Sequence, residues 1–261
     1  MKSPIVSQQK ELNVCGWQAV TTLFARHPGD VRRLFFDQAT GKRTGELCAL
    51  LAREKKVYRQ VTPAELEKIA GTVHHGGIVA VIGERPMKKI THEVLAGWGR
   101  AAAPLLLLDR VSNANNVGAI VRTAAFFGVR SIVVADHPAQ ALPGEAAYRV
   151  AEGGMEFVDF YRVPSLAEFC PELKRRYFLI GTSLSGSQLT PAEVKQRDLR
   201  ASGSRPPAII LGNEEKGIAP ALAAQCDRLV KIPGANTVES LNVSAAAAVL
   251  CWEFFAAKGG E

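Results

Sequence analysis

VKIPGANTVESLNVSAAAAVLCWEFFAA, residues 230–257, is the stretch around which the chain is organised. An apolar strand over Leu229–Ile232 meets Pro233-Gly234, a polar loop follows, and a helix of small residues opens at Leu241 with Ser240 as its natural N-cap. Polar side chains gather in the loop and the first helical turn: Asn236, Glu239, Ser240, Asn242 and Ser244. A strand feeding a loop that caps a helix is where an α/β protein binds ligands, because loop N–H groups and the positive helix end lie together. On this stretch alone a well-capped helix without a ligand is an equal reading. Two earlier loops break the tie.

Upstream, Leu105–Leu108 is a wholly apolar strand, followed by the Asn-rich loop Ser112–Asn116 and a helix over Val117–Phe127 closed by Gly128. Ser131–Ala135, Phe157–Val163, Tyr177–Gly181 and Ala208–Leu211 read as further strands, with a Pro/Gly-containing loop between the first two. Ser165-Leu166-Ala167-Glu168 is a capping box that opens a helix. Apolar strands without polar alternation, separated by helices, predict a parallel sheet covered on both faces. Residues 183–204, rich in Ser, Gly and Arg, are the expected mobile surface segment.

Two of these strand ends carry chemistry. In Asn113–Ala124, Asn116 is the natural N-cap, and Gly118 costs helix stability, which points to close approach by a backbone or ligand. Arg122 lies one turn beyond Gly118 on the same helix face. In Ile209–Ile218, Gly212 and Gly217 bracket Asn213-Glu214-Glu215-Lys216 directly after a buried strand. This is no P-loop, since Lys216 precedes the second glycine and no Ser or Thr follows it. A G-x-G-x-x-G after a strand and a G-x-S-x-G elbow are both missing from the chain.

Composition bounds the rest. The chain of 261 residues is 47% hydrophobic and 22% charged, as expected of a globular protein with room for two domains. Residues 1–100 hold 16 Lys and Arg against 9 Asp and Glu, whereas residues 101–261 hold 16 of each. A basic module joined to a neutral one reads as a polyanion-binding part attached to a part with another task. Residues 1–84 alternate strand and helix: a helix over Leu12–Arg26, strands at Val31–Phe36, Val57–Val61 and Ile78–Ile82, and a Thr62-Pro63-Ala64-Glu65 capping box. His74-His75 lacks carboxylate or cysteine partners at ligand spacing and reads as a turn or RNA-contact element; no metal is expected. Five scattered cysteines and the absence of an apolar leader or spanning segment predict a cytoplasmic protein without a membrane partner.

The runs N-V-G-A-I-V-R-T-A, L-G-N-E-E-K-G and I-P-G-A-N-T-V-E-S-L-N-V-S resemble, in order, separation and content, the three motifs of the SpoU branch of the SPOUT methyltransferases. Those enzymes move a methyl group from S-adenosylmethionine to a ribose 2′-hydroxyl of RNA. The likeness spans residues 104–257. The first 85 residues, with G-W-Q-A-V and V-H-H-G-G-I-V-A, are similar to the small substrate-binding domain that precedes the catalytic domain in many ribosomal-RNA members.

The resemblance implies an α/β fold whose parallel sheet ends in a C-terminal trefoil knot, against the usual avoidance of knots; periodicity alone gives an ordinary open sheet. It implies a small basic α/β RNA-binding domain at 1–84 and a catalytic domain at 104–261, acting as a homodimer with the site at the subunit interface; residues 85–103 between them have linker composition around one possible short helix. The cofactor S-adenosylmethionine would be held by backbone at Leu211, Gly212, Ile232 and Leu241, with Gly217 shaping the second loop. Asn116, Arg122, Glu214, Ser240 and Asn242 match the family's polar catalytic set. Arg122 occupies the position treated in the family as a base; a guanidinium is a poor base, so the alternative is phosphate binding and alkoxide stabilisation with Glu214 orienting it. Ser240 and Asn242 would hydrogen-bond the loop or the ribose. The family's Asp-Pro ahead of the first-motif Asn is here Asn113-Ala114, so a carboxylate and a rigid ring are lost. A separate basic domain favours ribosomal over transfer RNA as partner. A transfer-RNA methyltransferase and a catalytically quiet RNA-binding or assembly factor are the alternatives.

Overall fold

A computed structural model describes residues 10–183, 190–195, 198, 205–235 and 237–256; most of the 183–204 segment, and Asn236, lie outside the described residues. In chain order the first elements are β1 (Glu11–Cys15), α1 (Trp17–Arg26), β2 (Val31–Phe36), α2 (Gln38–Gly41), α3 (Gly45–Arg53), β3 (Val57–Gln60), α4 (Pro63–Ala70) and β4 (Ile78–Gly83). Next come β5 (Lys88–Lys89), α5 (His92–Arg100), β6 (Leu105–Leu108), α6 (Ala114–Phe126), β7 (Ser131–Ala135), α7 (Glu145–Ala151) and β8 (Asp159–Val163). The last are α8 (Leu166–Leu173), β9 (Phe178–Thr182), α9 (Pro191–Val194), β10 (Pro207–Leu211), α10 (Pro220–Ala223), β11 (Arg228–Val230) and α11 (Val243–Phe255). No helix among the described residues is long and apolar enough to cross a membrane.

The chain divides into two compact units: the described residues up to Pro86 together with Gly144–Glu156, and Met87–Pro143 together with the described residues from Phe157 onward. The first is built on a mixed sheet in the order β1-β4-β2-β3, with β4 antiparallel to β1 and β2, and β3 parallel to β2. The helix expected over Leu12–Arg26 is a strand followed by a helix. Pairing with β4 sets Leu12 opposite Ile82 and Val14 opposite Ala80, and Gly16, at φ +95°, turns the chain so that α1 starts at Trp17. The Thr62 capping box forms with both of its hydrogen bonds.

The segment between β7 and β8, expected as a loop, holds α7 and belongs to the first unit. Glu145 Oε1 accepts from the Asn13 N–H at 2.9 Å. The buried Glu156 carboxylate accepts from Arg85 Nη2 at 2.8 Å and lies 2.7 Å from His27 Nδ1, while Arg85 Nε donates to Asp30 at 2.9 Å. Gly153 takes φ +91° where a Cβ would stand 2.7 Å from Thr22 Oγ1, so only glycine lets this turn close on α1.

The second unit is a seven-stranded parallel sheet in the order β11-β9-β10-β6-β7-β8-β5. Leu105–Leu108 and Ala208–Leu211 are buried throughout, which is why they read as unbroken apolar runs. One face packs under α5, α8 and α10 through Leu95, Trp98, Cys170, Leu173 and Leu222; on the other, α11 packs against α6 and β10. Residues 85–103, expected as a linker around one possible short helix, hold that helix as α5 and also β5, and they are no tether, because Leu95 and Trp98 are core residues and the Trp98 ring meets Tyr161 edge-on at 4.7 Å. From β6 the chain proceeds toward β7, and from β10 it proceeds to β11 on the opposite side. The carboxyl ends of β6 and β10 therefore flank a switch point, where open α/β sheets form their ligand crevice.

Candidate active site

The loops after β6, β10 and β11 converge at this switch point, each held there by identifiable bonds. After β6, the Asp109 N–H donates to Leu211 O (2.8 Å), and the buried Asp109 carboxylate accepts from Arg110 Nε and Nη2 (3.0 Å each) and from the Ala219 N–H (2.7 Å). Arg110 adopts φ +60°, and its carbonyl accepts from Asn213 Nδ2 at 2.8 Å. Asp109 and Arg110 thus fasten the first loop to both ends of the second.

The second loop folds back on itself. Asn213 and Gly217 exchange backbone hydrogen bonds at 3.0 and 2.9 Å, and Asn213 Oδ1 accepts from the N–H groups of Glu215 and Lys216. Gly217 at φ +64° makes the return possible. Gly212 faces that return directly: a Cβ there would lie 2.3 Å from the Gly217 carbonyl carbon and 2.4 Å from Ile218 N.

Glu214 ties this loop to the first. Its Oε1 accepts from Asn116 Nδ2 (2.8 Å) and the Asn113 N–H (3.2 Å); its Oε2 accepts from the Ser112 N–H and Oγ (3.1 Å each) and from Asn213 Nδ2 (3.3 Å). Partial burial pushes the carboxyl pKa up, but the hydrogen bonds from Asn116, Ser112 and the neighbouring backbone outweigh it, so the pKa is lowered and the group is anionic. Asn116 is therefore not the helix cap expected of it. Asn113 caps α6 by accepting from the Asn115 N–H at 2.8 Å, while the Asn116 amide is drawn to Glu214.

The third loop joins through Asn242, whose Nδ2 donates to Asn116 Oδ1 at 3.1 Å. Asn242, rather than the expected Ser240, is the N-cap of α11: its Oδ1 accepts from the Ser244 N–H (2.8 Å) and Oγ (2.6 Å), so the helix opens at Val243. Glu214, Asn116 and Asn242 form one polar chain across the three loops.

Beside that chain lies a cavity of about 230 Å³. Its wall contains Leu211, Gly212, Gly217, Ile232 and Leu241, together with Glu214 and Ser240. Two apolar residues of the wall, Val238 at 71% exposed and Leu241 at 49%, present carbon surface to solvent at the mouth. Arg122 is exposed on α6, one turn beyond the buried Gly118. Asp109, Arg110, Ser112 and Asn213 escaped the sequence reading, although a charged pair directly after four leucines, and an Asn between paired glycines, were the available signals. Among the described residues no three His, Cys, Asp or Glu side chains gather as a metal site. In the first unit, His75 Nδ1 accepts from the Gly77 N–H at 3.1 Å, which gives His75 a turn-forming role.

Residues 103–252 match the SpoU rRNA Methylase family, and residues 13–87 match a family described as RNA 2'-O ribose methyltransferase substrate binding. The 23S rRNA (guanosine-2'-O-)-methyltransferase RlmB of Bordetella pertussis is 32% identical over 92% of this chain and 95% of its own length. The protein of the same name from Acinetobacter baylyi is 36% identical over 72% of this chain and 73% of its own. In fold the chain is similar to the SpoU methyltransferase AviRb of Streptomyces viridochromogenes, solved in complex with the cofactor AdoMet: TM-score 0.69, 24% identity, 94% of this chain and 89% of that one covered. By a family match over more than half its length, and by relatives aligned nearly end to end, this chain belongs to the SpoU rRNA Methylase family.

Proposed function

We propose that the chain transfers a methyl group from S-adenosylmethionine to a ribose 2′-hydroxyl of ribosomal RNA. The observation that carries this is a cavity walled by the loops after β10 and β11, beside the Glu214–Asn116–Asn242 chain, in a protein that also has a substrate-binding match. Relatives named as 23S rRNA methyltransferases over most of the chain favour ribosomal RNA over transfer RNA.

The residues present fit the cofactor. Backbone groups of Leu211, Gly212, Ile232 and Leu241 offer donors and acceptors for polar edges, and exposed carbon at Leu241 and Val238 suits a flat ring or an alkyl chain. When bound, S-adenosylmethionine supplies a methyl group on a sulfonium, a good leaving group, so the protein's main task is placement. Glu214 holds the first and second loops in one geometry. Asn242 fixes Asn116, and Ser240 stands in the cavity wall where a ribose can reach it. Arg122 binds the phosphate next to the reacting ribose and stabilises the developing alkoxide; a guanidinium has no acceptor lone pair to offer and is a poor base.

The order of the last elements supports the knot: β11 lies at the sheet edge beside β9, whereas α11 packs back on α6 and β10. A homodimer through the catalytic domain accounts for apolar surface on α6 and α11, where Phe126 is 82% and Trp252 66% exposed and the Phe127 and Trp252 rings meet at 6.5 Å. We place the protein in the cytoplasm, where ribosomal RNA is found and where its five free thiols stay reduced.

Incubation of ribosomal RNA lacking ribose methylation with the protein and methyl-labelled S-adenosylmethionine tests the reading. Label in an alkali-resistant dinucleotide is expected, since a 2′-O-methyl group blocks cleavage of the adjacent bond. Cofactor binding without any transfer to ribose overturns it.

A further inference from the structure

In the first unit the Arg43 guanidinium lies over the Trp17 indole, 3.9 Å from the ring centroid. Arg43 and its neighbour Lys42 are exposed in the turn between α2 and α3, and Trp17, half-buried, opens α1. A third segment is pressed against both. The Gly16 N–H donates to His75 O (3.1 Å) and Ile78 O (3.2 Å), and the Asp37 N–H donates to Gly77 O (3.0 Å). The approach is too close for side chains: a Cβ on Gly76 would stand 3.2 Å from Gly16 Cα, and one on Gly77 2.2 Å from Thr40 Oγ1.

Backbone packing therefore fixes Trp17, Lys42, Arg43, His74 and His75 together at the end of the sheet where β1 and β2 finish and β4 begins. Asp37, the carboxylate set among them, accepts from the Thr40 N–H as the cap of α2. His75 Nδ1 accepts from Gly77, so the neutral ring carries its hydrogen on Nε2 as a donor.

An aromatic face under a guanidinium, flanked by exposed cations and imidazoles, suits one chemistry above others. Every nucleobase has a π-face that stacks on indole or on the guanidinium plane, while Lys and His donors meet phosphate. A regular RNA duplex keeps its bases inside and offers no such face. We infer that this end of the sheet docks single-stranded RNA, one unpaired base stacking on the Trp17–Arg43 pair and Lys42 and His74 holding the adjoining phosphates. The inference rests on the RNA reading given above and names the part of the substrate that the first unit engages.

The test uses the full-length chain with a fluorescently labelled single-stranded RNA of about 12 nucleotides, within the range of single-strand sites, and a duplex of the same length as the comparison. The single strand is expected to bind more tightly. Trp17→Ala should weaken that binding roughly 5- to 100-fold, the range for loss of one base–aromatic stack, and Trp17→Phe should retain most of it. Lys42→Gln should reduce the slope of log affinity against log salt by about 0.7, the loss of one phosphate contact. Unchanged affinity in all three variants overturns the inference, with or without a fall in melting temperature, because the pair is then only a brace between the turn and α1. Failure of the wild-type chain to bind the single strand overturns it as well. Methyl transfer measured on the same proteins separates the two readings. An active wild type with unaffected variants defeats the docking site alone; an inactive wild type whose RNA binding depends on Trp17 defeats the methyltransferase reading alone.

Discussion

Glu214 Oε1 accepts from Asn116 Nδ2 at 2.8 Å, a contact that ties the loop after β10 to the first turn of α6. The carboxylate takes donors on both oxygens, from Ser112, Asn113, Asn116 and Asn213, so no neutral isostere can replace it. In Glu214→Gln the new NH₂ faces N–H donors whichever way the amide turns. Cofactor affinity should fall by about ten- to a hundredfold, the cost of an unsatisfied partly buried pair, as read by calorimetry.

The same carboxylate sets a pH dependence whose sign follows from its lowered pKa. A carboxyl more acidic in the folded state contributes stability that is complete above its unfolded value of about 4.3 and is lost as pH falls through the folded value. Wild-type melting temperature should be flat on this account through the neutral range and drop in acid. Glu214→Gln should start lower at neutral pH and show a shallower acid drop. A parallel decline in both proteins would mean that other carboxylates govern the acid limb.

Gly212 and Gly217 are both glycines for backbone reasons, but not for the same one. Alanine at 212 would place its Cβ 2.3 Å from the carbonyl carbon of Gly217, so the loop must open and the cavity wall move. Alanine at 217 meets nothing within 4 Å and costs only the left-handed conformation, about 1 kcal/mol. Gly212→Ala should therefore abolish measurable S-adenosylmethionine binding while Gly217→Ala keeps it, weakened less than about tenfold. Comparable losses in the two would show that cofactor is not held against this return.

The contrast between these loops and their surroundings explains what the sequence disclosed. Leu105–Leu108 and Ala208–Leu211 announced central strands because both of their faces are covered, and Gly212 and Gly217 marked the turn that follows. The first elements were harder. Val14, Trp17 and Val20 follow helical spacing while Leu12 and Val14 also alternate as in a strand, and pairing of Leu12 with Ile82 decided for the strand. Local capping rules likewise favoured Asn116 and Ser240, since they contain no information about Glu214, which lies about a hundred positions along the chain and captures the Asn116 side chain. The composition of 85–103 suggested a tether, but Leu95 and Trp98 find partners only once Cys170, Leu173 and Tyr161 are in place.

Arg122 belongs to α6 but not to the cavity wall, so its removal should separate chemistry from cofactor binding. Arg122→Ala is expected to lower kcat by about 10²–10³, the effect of removing one preorganised charge at a developing anion, with S-adenosylmethionine affinity unchanged. If Arg122 acts electrostatically, Arg122→Lys should recover part of kcat and leave the shape of the pH profile alone. A new ionisation in the lysine variant's profile would instead support the base role.

Glu156 tests whether the segment Gly144–Glu156 is a structural part of the first unit or only lies near it. Its side chain is 1% exposed and accepts from Arg85, which is itself 29% exposed and also paired with Asp30. Burial opposes the Arg85 charge, but the hydrogen bond that Arg85 donates to Glu156 outweighs it and raises the guanidinium pKa, so the arginine cannot escape the mismatch by losing its proton. Glu156→Ala leaves Asp30 as the remaining partner of Arg85 and should cost about 1–3 kcal/mol in urea unfolding of the full chain. Glu156→Gln, which keeps an acceptor for Arg85, should cost less. Hydrogen exchange decides where the loss falls: amides of β1, β2 and β4 should lose protection while those of β6 and β10 keep it. Equal loss in β6 and β10 would show that the segment stabilises the parallel sheet it was drawn from, and not the unit in which it is packed.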